Sequence, residues 1–157
     1  MQLPVGARRF AYRTAYRVLE FCWLLLRPNK LGVKCLMTRA DRILLVRHTY
    51  GHRGWDLPGG GIKRGEAPVN AARREMREEL GIEGAEWVDL GEIRGIVQHR
   101  RDTIHCFRAE LPTPAITIDP GELSTASWFA FADLPPELGP YVMPILRRAF
   151  PGAHDVS

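Results

Sequence analysis

Cysteine is scarce: Cys22, Cys35 and Cys106 are odd in number, far apart and never in a C-x-x-C pair. That excludes a disulfide framework and a cysteine-built zinc site, and it makes a reducing cytoplasm the expected home. Internal repeats and low-complexity segments are also missing. No apolar run is long enough to cross a bilayer. The nearest candidate, 21–26, is interrupted upstream by Glu20 and followed by no small-residue cleavage site, so a signal peptide is not expected. Acidic charge is nearly absent from one end. Residues 1–35 carry seven Lys or Arg (Arg8, Arg9, Arg13, Arg17, Arg27, Lys30, Lys34) against Glu20 alone, or +6, which leaves −2 for the rest of a chain of net charge +4. The basic charge therefore belongs to an N-terminal arm, which argues against a nucleic-acid surface spread over the body.

What is present suits one globular domain: 157 residues, 45% of them hydrophobic and 25% charged, enough for a full-sized core. The most informative stretch runs from Leu57 to Ile82, LPGGGIKRGEAPVNAARREMREELGI. Pro68 and Gly81 supply a start and a stop, predicting a helix from Pro68 to Leu80. Val69, Ala72, Met76 and Leu80 share one stripe of it and face a core. Glu75, Glu78 and Glu79 share the next stripe, with Ala71 among them leaving room for a ligand, while Arg73, Arg74 and Arg77 turn another way. Three carboxylates on adjacent turns repel, and pairing with neighbouring arginines offsets only about 0.2–0.5 kcal/mol per pair. Such a cluster is either a solvated face or a set of hard oxygen ligands suited to Mg²⁺ or Mn²⁺.

The order of residues decides between these. Gly60, Glu66, Arg74, Glu75, Met76, Glu78, Glu79, Gly81 and Ile82 fill every fixed position of the pattern G-x5-E-x7-R-E-U-x-E-E-x-G-U, where U is apolar. This stretch resembles the Nudix box, with Met76 where Leu, Ile or Val is usual, a volume-conserving exchange. The resemblance implies an α/β/α sandwich with a mixed central sheet and a loop-helix-loop metal site. It further implies that Glu75, Glu78 and Glu79 bind divalent ions, that Gly60 adds its backbone carbonyl, and that Glu66 pairs with Arg74 to fix the loop on the helix. In this family an acid beyond the box sometimes serves as a further ligand or general base. Glu122, after the Asp119-Pro120-Gly121 turn and six residues before Trp128-Phe129, is in a similar place.

Along the rest of the chain, Arg8 to Arg27 reads as a helix with a stripe of Tyr12, Tyr16, Leu19, Trp23 and Leu26 beside a basic stripe of Arg9, Arg13, Arg17 and Arg27. It would pack on its own domain or on a second copy, or lie on an anionic membrane surface. Leu31–Thr38 and Arg42–His48 read as strands joined by an Ala40-Asp41 turn. Thr49–Arg53 is a polar loop whose His52 and Arg53 would touch substrate or simply be solvated. Trp87–Ile96 and Thr103–Leu111 read as strands flanking a basic turn, and His99, Arg100 and Arg101 there would clamp a distal phosphate or sugar. Phe131–Pro136 reads as a loop. Tyr141–Phe150 closes the chain as a helix with Tyr141, Ile145 and Leu146 inward, and the tail from Gly152 frays.

The expected organisation is an arm (1–28), a catalytic domain (29–151) and a frayed end (152–157). The expected activity is Mg²⁺- or Mn²⁺-dependent hydrolysis of the diphosphate in a nucleoside diphosphate linked to another moiety, such as a sugar nucleotide or an ADP-ribose-like compound. One of Glu75, Glu79 and Glu122 would deprotonate the attacking water. Hydrolysis of oxidised nucleoside triphosphates shares the same box residues; a sensor that binds a diphosphate without cutting it is a further alternative, against which the intact carboxylate set argues. The expected location is cytoplasmic, with peripheral membrane contact or a homodimer through 8–27.

Overall fold

Alternation along two central strands fixes the architecture. The computed structural model describes residues 4–26, 29–97 and 100–152, with side chains left aside for 20–26 and Arg100. In chain order the elements are α1 (Val5–Leu26), β1 (Asn29–Arg39), β2 (Arg42–His48), α2 (Pro68–Leu80), β3 (Val88–Val97), β4 (Arg100–Glu110), β5 (Leu123–Ala130) and α3 (Val142–Ala149). Successive residues of a strand point to opposite faces. Val33, Cys35 and Met37 of β1, with Leu44 and Val46 of β2, therefore join Ala72, Met76 and Leu80 of α2 in one core. Leu36, Ile43 and Leu45 join Val142, Ile145 and Leu146 of α3 in the other. The sheet order is β3-β4-β1-β2-β5. Its central pair, β1 and β4, runs parallel, and the remaining pairs are antiparallel. The result is a mixed sheet between helices, an α/β/α sandwich.

Three elements depart from the sequence reading. The basic segment around Arg100-Arg101 is the start of β4 and not a turn, because β1 pairs with it from Asn29↔Arg101 onward and lends it the backbone partners its polar side chains could not announce. Residues 98–99, including His99, lie outside the described residues, as do the terminal residues 153–157. Leu123–Ala130, LSTASWFA, is a full strand along β2 although its apolar alternation is faint. Ala71 does not face ligand space. It is fully buried in the α2-side cluster, against which Ile62 of the loop before the helix also packs.

Helix α2 has the expected bounds. Gly81 adopts a left-handed conformation (φ 66°), its N–H reaches Arg77 O, and Ile82 N–H reaches Met76 O at 3.1 Å, the arrangement that satisfies terminal carbonyls. The carbonyls of Glu79 and Leu80 accept from Asp119 and Thr117, both at 2.9 Å. This docks the 117–122 segment at the C-terminal end of the box helix.

Helix α1 is attached differently. Arg8 Nη2 donates to both Asp119 carboxylate oxygens (3.0 and 2.8 Å), Arg9 Nε to Pro120 O (2.7 Å) and Arg13 Nε to Thr49 O (3.0 Å). Tyr12 and Tyr16 meet Tyr50 in tilted ring contacts at 5.7 and 5.5 Å. Its outer side leaves Phe10 73% and Val18 59% exposed. Among the described residues no helix is long and apolar enough to cross a membrane.

Candidate active site

The site begins with a glycine loop pressed against β1. Val33 N–H donates to Gly60 O (2.8 Å), Cys35 N–H to Pro58 O (2.9 Å) and Ile62 N–H to Leu31 O (3.1 Å), so residues 58–62 run beside β1 like a short additional strand. A Cβ on Gly59, at φ 147°, would collide with the Val33 carbonyl, and one on Gly60 would overlap the Glu75 carboxyl. Glycine at both positions lets backbone approach both neighbours. The Gly60 carbonyl already accepts one hydrogen bond, and its second lone pair remains for a ligand.

Box helix α2 lies across this loop, held by one arginine. Arg74 donates Nε to Glu66 Oε1 and Nη2 to Glu66 Oε2, both at 2.9 Å, and Nη2 also to Gly61 O at 2.8 Å. Lys63 N–H adds a third bond to the Glu66 carboxylate, at 2.9 Å. These partners, Arg74 foremost, hold the Glu66 carboxyl at about 2. Arg74 thus leaves Arg73 and Arg77, which are exposed, and turns towards the acids. Its Nη1 reaches Glu75 Oε1 at 2.7 Å and Glu78 Oε2 at 3.4 Å.

The acids form a gradient of burial. Glu79 is 2% exposed and Glu75 8%, whereas the Glu78 side chain is 49% exposed. Glu79 accepts a hydrogen bond from the Gly59 N–H at 3.2 Å, and burial followed by repulsion from Glu75 pushes its carboxyl well above the usual range. Burial likewise raises Glu75, against the opposing pull of Arg74. Glu122 comes from the turn before β5, and burial together with Glu75 raises it as well. All four carboxylates, with Gly60, line one open cleft of about 410 Å³. Among the described residues no three acidic, His or Cys side chains already stand close enough together to hold a metal ion, and Arg74 and the Gly59 amide take part of the bonding capacity of the box acids. The chemistry of the set is nonetheless specific: hard oxygens, two of the carboxylates buried, mutually repelling, with less positive charge than negative. That suits a hard divalent cation and not a soft one.

Glu122 is placed by its backbone. Thr49 N–H donates to Glu122 O (2.9 Å) and Thr49 Oγ1 to Gly121 O (2.9 Å), while the Asp119 carboxylate accepts the Gly121 N–H (2.8 Å) as well as Arg8. The turn is therefore held by β2's exit loop, the end of α2 and the arm together.

Several contributors were silent in the sequence. Lys34 of β1 pairs with Asp56 at 2.6 Å, both side chains about 14% exposed or less, and Lys34 also donates to Leu57 O at 2.9 Å. Burial pushes Asp56 up, but the charge and hydrogen bond of Lys34 win and hold it below its ordinary value. His48, beside this pair, is driven down to about 4 by burial and by the Lys34 charge, and its Nδ1 is buried without a hydrogen-bond partner. Lys34, Asp56, His48, Tyr16 and Tyr50 all line the cleft. Of the proposed substrate contacts, Arg101 is exposed on β4 and does not line the cleft, His52 does, and Arg53 lines a smaller cavity beside it. Asp102, next to Arg101, is buried and accepts from Tyr141 Oη at 3.2 Å.

Comparison with known proteins agrees with this architecture. A family model described as the NUDIX domain matches residues 28–149. The RNA pyrophosphohydrolase of Saccharophagus degradans is 39% identical over 74 residues, 47% of this chain and 42% of that protein. The ADP-ribose pyrophosphatase of Mycobacterium tuberculosis is 47% identical over 53 residues, 31% of this chain and 26% of that one. The chain thus spans less than half the length of these curated relatives. The crystal structure of a MutT NUDIX hydrolase from Burkholderia pseudomallei superposes with a TM-score of 0.69 at 26% identity, covering 76% of this chain and 97% of that one. With the box on α2, the glycine loop on β1 and a family match over most of its length, the chain belongs to the Nudix family.

Proposed function

We propose that this protein is a divalent-metal-dependent pyrophosphohydrolase that cuts the diphosphate of a nucleoside diphosphate linked to another moiety. The observation that carries the reading is the convergence of Glu75, Glu78, Glu79 and Glu122 on one cleft, three of them with carboxyls raised by burial and mutual repulsion. Glu75, Glu78, Glu79 and the Gly60 carbonyl would hold Mg²⁺ or Mn²⁺. When bound, such ions neutralise phosphate oxygens and lower the pKa of a bound water.

The chain's own residues do the rest. Glu66 and Arg74 lock loop to helix, so that Gly60 and Glu75 keep their spacing; ligand-supporting contacts of this kind are worth about 10–100-fold in affinity or activity. Arg74 also offsets the charge of Glu75 and Glu78 before any ligand arrives. Glu122, held by its backbone, lines the same cleft as the box acids and would be the group to deprotonate a water bound there. A raised carboxyl pKa there is what a general base working near neutral pH requires. The names of the relatives support diphosphate chemistry, on RNA in one case and ADP-ribose in the other. Residues 1–28 are assigned as an arm and 29–151 as the catalytic domain, working in the cytoplasm.

Incubation of the full chain with Mg²⁺ and a panel of ADP-ribose, sugar nucleotides, dinucleoside polyphosphates and oxidised dGTP tests the reading. Release of a nucleoside monophosphate from a diphosphate-linked compound is expected. Tight binding across the panel with no product formed would instead make the protein a sensor.

A further inference from the structure

Beside the catalytic cleft lies a second cavity of about 120 Å³, room for a few waters or one phosphoryl group. Arg13 and Arg17 of α1 line one side and Arg53 the other, and no carboxylate lines it. Tyr16, Tyr50 and Gly51 line both cavities, so the two are contiguous. Arg13 is aimed by its Nε bond to Thr49 O (3.0 Å). Among the described residues neither Arg17 nor Arg53 makes a hydrogen bond or ion pair. Arg13 and Arg17 are one helical turn apart, where like charges cost stability, and Arg53 brings a third positive charge to the same small volume. Among the described residues no acidic side chain pairs with any of the three, whereas Arg8 has Asp119 and Arg74 has Glu66.

The wall between the cavities is built for close fit. Gly51 has φ 71°, and a Cβ there would stand 2.9 Å from the Tyr16 ring and hydroxyl. The absent side chain lets α1 seat against the loop, which brings Arg13 and Arg17 opposite Arg53.

We infer that the three-arginine cavity between α1 and the 49–53 loop is a binding site for a further phosphate on the substrate, carried by the moiety attached to the diphosphate. This rests on the proposed hydrolysis for its substrate but not for its chemistry. Guanidinium groups match phosphate oxygens with paired donors, and the cavity adjoins the cleft where the diphosphate would lie across the shared Tyr16, Tyr50 and Gly51. The favoured substrate class is then a compound with phosphates on both sides of the scissile bond, such as a longer dinucleoside polyphosphate, over one bearing only the two bridging phosphates. Two of the three arginines, Arg13 and Arg17, precede the 28–149 family match, so the preference depends largely on this chain's arm.

The test has a binding arm and a kinetic arm on the full chain. In EDTA, without divalent ions, the box acids repel anions, so calorimetric titration with inorganic pyrophosphate reads the arginine cavity. The expected result is binding weakened about tenfold in Arg17→Gln and again in Arg53→Gln, and weakened by added salt, as charge-assisted contacts predict. Arg147→Gln, exposed on α3, should leave it unchanged. Equal affinity in all four proteins, or an equal loss in Arg147→Gln, overturns the proposal. With Mg²⁺ present, the KM ratio between diadenosine diphosphate and diadenosine tetraphosphate should narrow by about tenfold per arginine, with kcat moving less. Absence of turnover of every substrate by the unmodified protein would sink the hydrolase reading while the binding result still judged the site. If the variants lose binding to phosphatidylcholine-phosphatidylserine vesicles yet keep pyrophosphate affinity, the arginines serve a membrane and the proposal falls.

Discussion

Helices α1 and α2 bring charge to two adjoining cavities, by opposite means. Box helix α2 is embedded: Ala71, Ala72, Met76 and Leu80 are fully buried, and its acids are held in place by that packing. Helix α1 rests on the rim through side-chain hydrogen bonds and one group of tyrosine rings. A helix fixed by its core can hold unfavourable charge in position, because burial of apolar surface at about 25 cal/mol per Å² outweighs the repulsion. One fixed by rim contacts can only present charge that solvent or a ligand tolerates. The acids therefore belong on α2 and the free arginines on α1.

The sharpest way to break this contrast is at Glu79. Glu79→Gln should reduce turnover by about 10³-fold or more, the loss of several kcal/mol of charge stabilisation. The thermal midpoint should hold or rise, since an unfavourable buried charge has gone. A drop in the midpoint with activity retained would make Glu79 structural. Next is the Lys34–Asp56 pair beneath the loop. Asp56→Ala leaves a buried ammonium without its partner and should cost about 3 kcal/mol in urea unfolding at neutral pH. Because Asp56 titrates lower folded than unfolded, its contribution is full above about pH 4 and is lost as pH falls through the folded value. The variant should lack that acid limb.

His48 gives a smaller effect in a different window. Its folded pKa of about 4 lies below the unfolded value near 6.5, so the folded protein resists protonation. Stability is complete above about pH 6.5 and falls as the solution is acidified, by about 2 kcal/mol at pH 5. Replacing His48 by Gln should flatten unfolding free energy between pH 6.5 and 5, and an unchanged slope would assign that dependence elsewhere. The smallest global effect is expected at Arg8, half exposed against Asp119. Arg8→Gln should leave the global unfolding free energy nearly unchanged, as is usual for a solvent-screened ion pair. Amide exchange at Thr49 and Glu122 should nevertheless quicken, because the turn loses one of its three supports.

The same contrast explains what could be read before any fold was known. Helix α2 is bounded by Pro68 and Gly81 and carries its ligand spacing within thirteen residues, so periodicity and the box pattern sufficed. The alternating runs of β1 and β2 announced the two faces of the sheet. Other features depend on partners far away in sequence. Lys34 meets Asp56 across 22 positions and Arg8 meets Asp119 across 111, and neither pairing leaves a local trace. Strand β5 takes its backbone partners from β2, which its Ser and Thr residues hide, and β4 begins early because β1 does. Ala71 was misplaced because a helical wheel does not contain the loop whose Ile62 packs on the same cluster.

Gly51 and the tyrosines around it separate two jobs onto two stretches of chain. Bond-breaking groups come from the middle of the sequence, whereas the groups we assign to choosing among substrates come largely from its beginning, joined across a handful of rim contacts. Mutation could then rewrite preference by altering or exchanging the leading helix while the hydrolytic apparatus stayed as it was, and grafting that helix onto a relative should carry the preference with it.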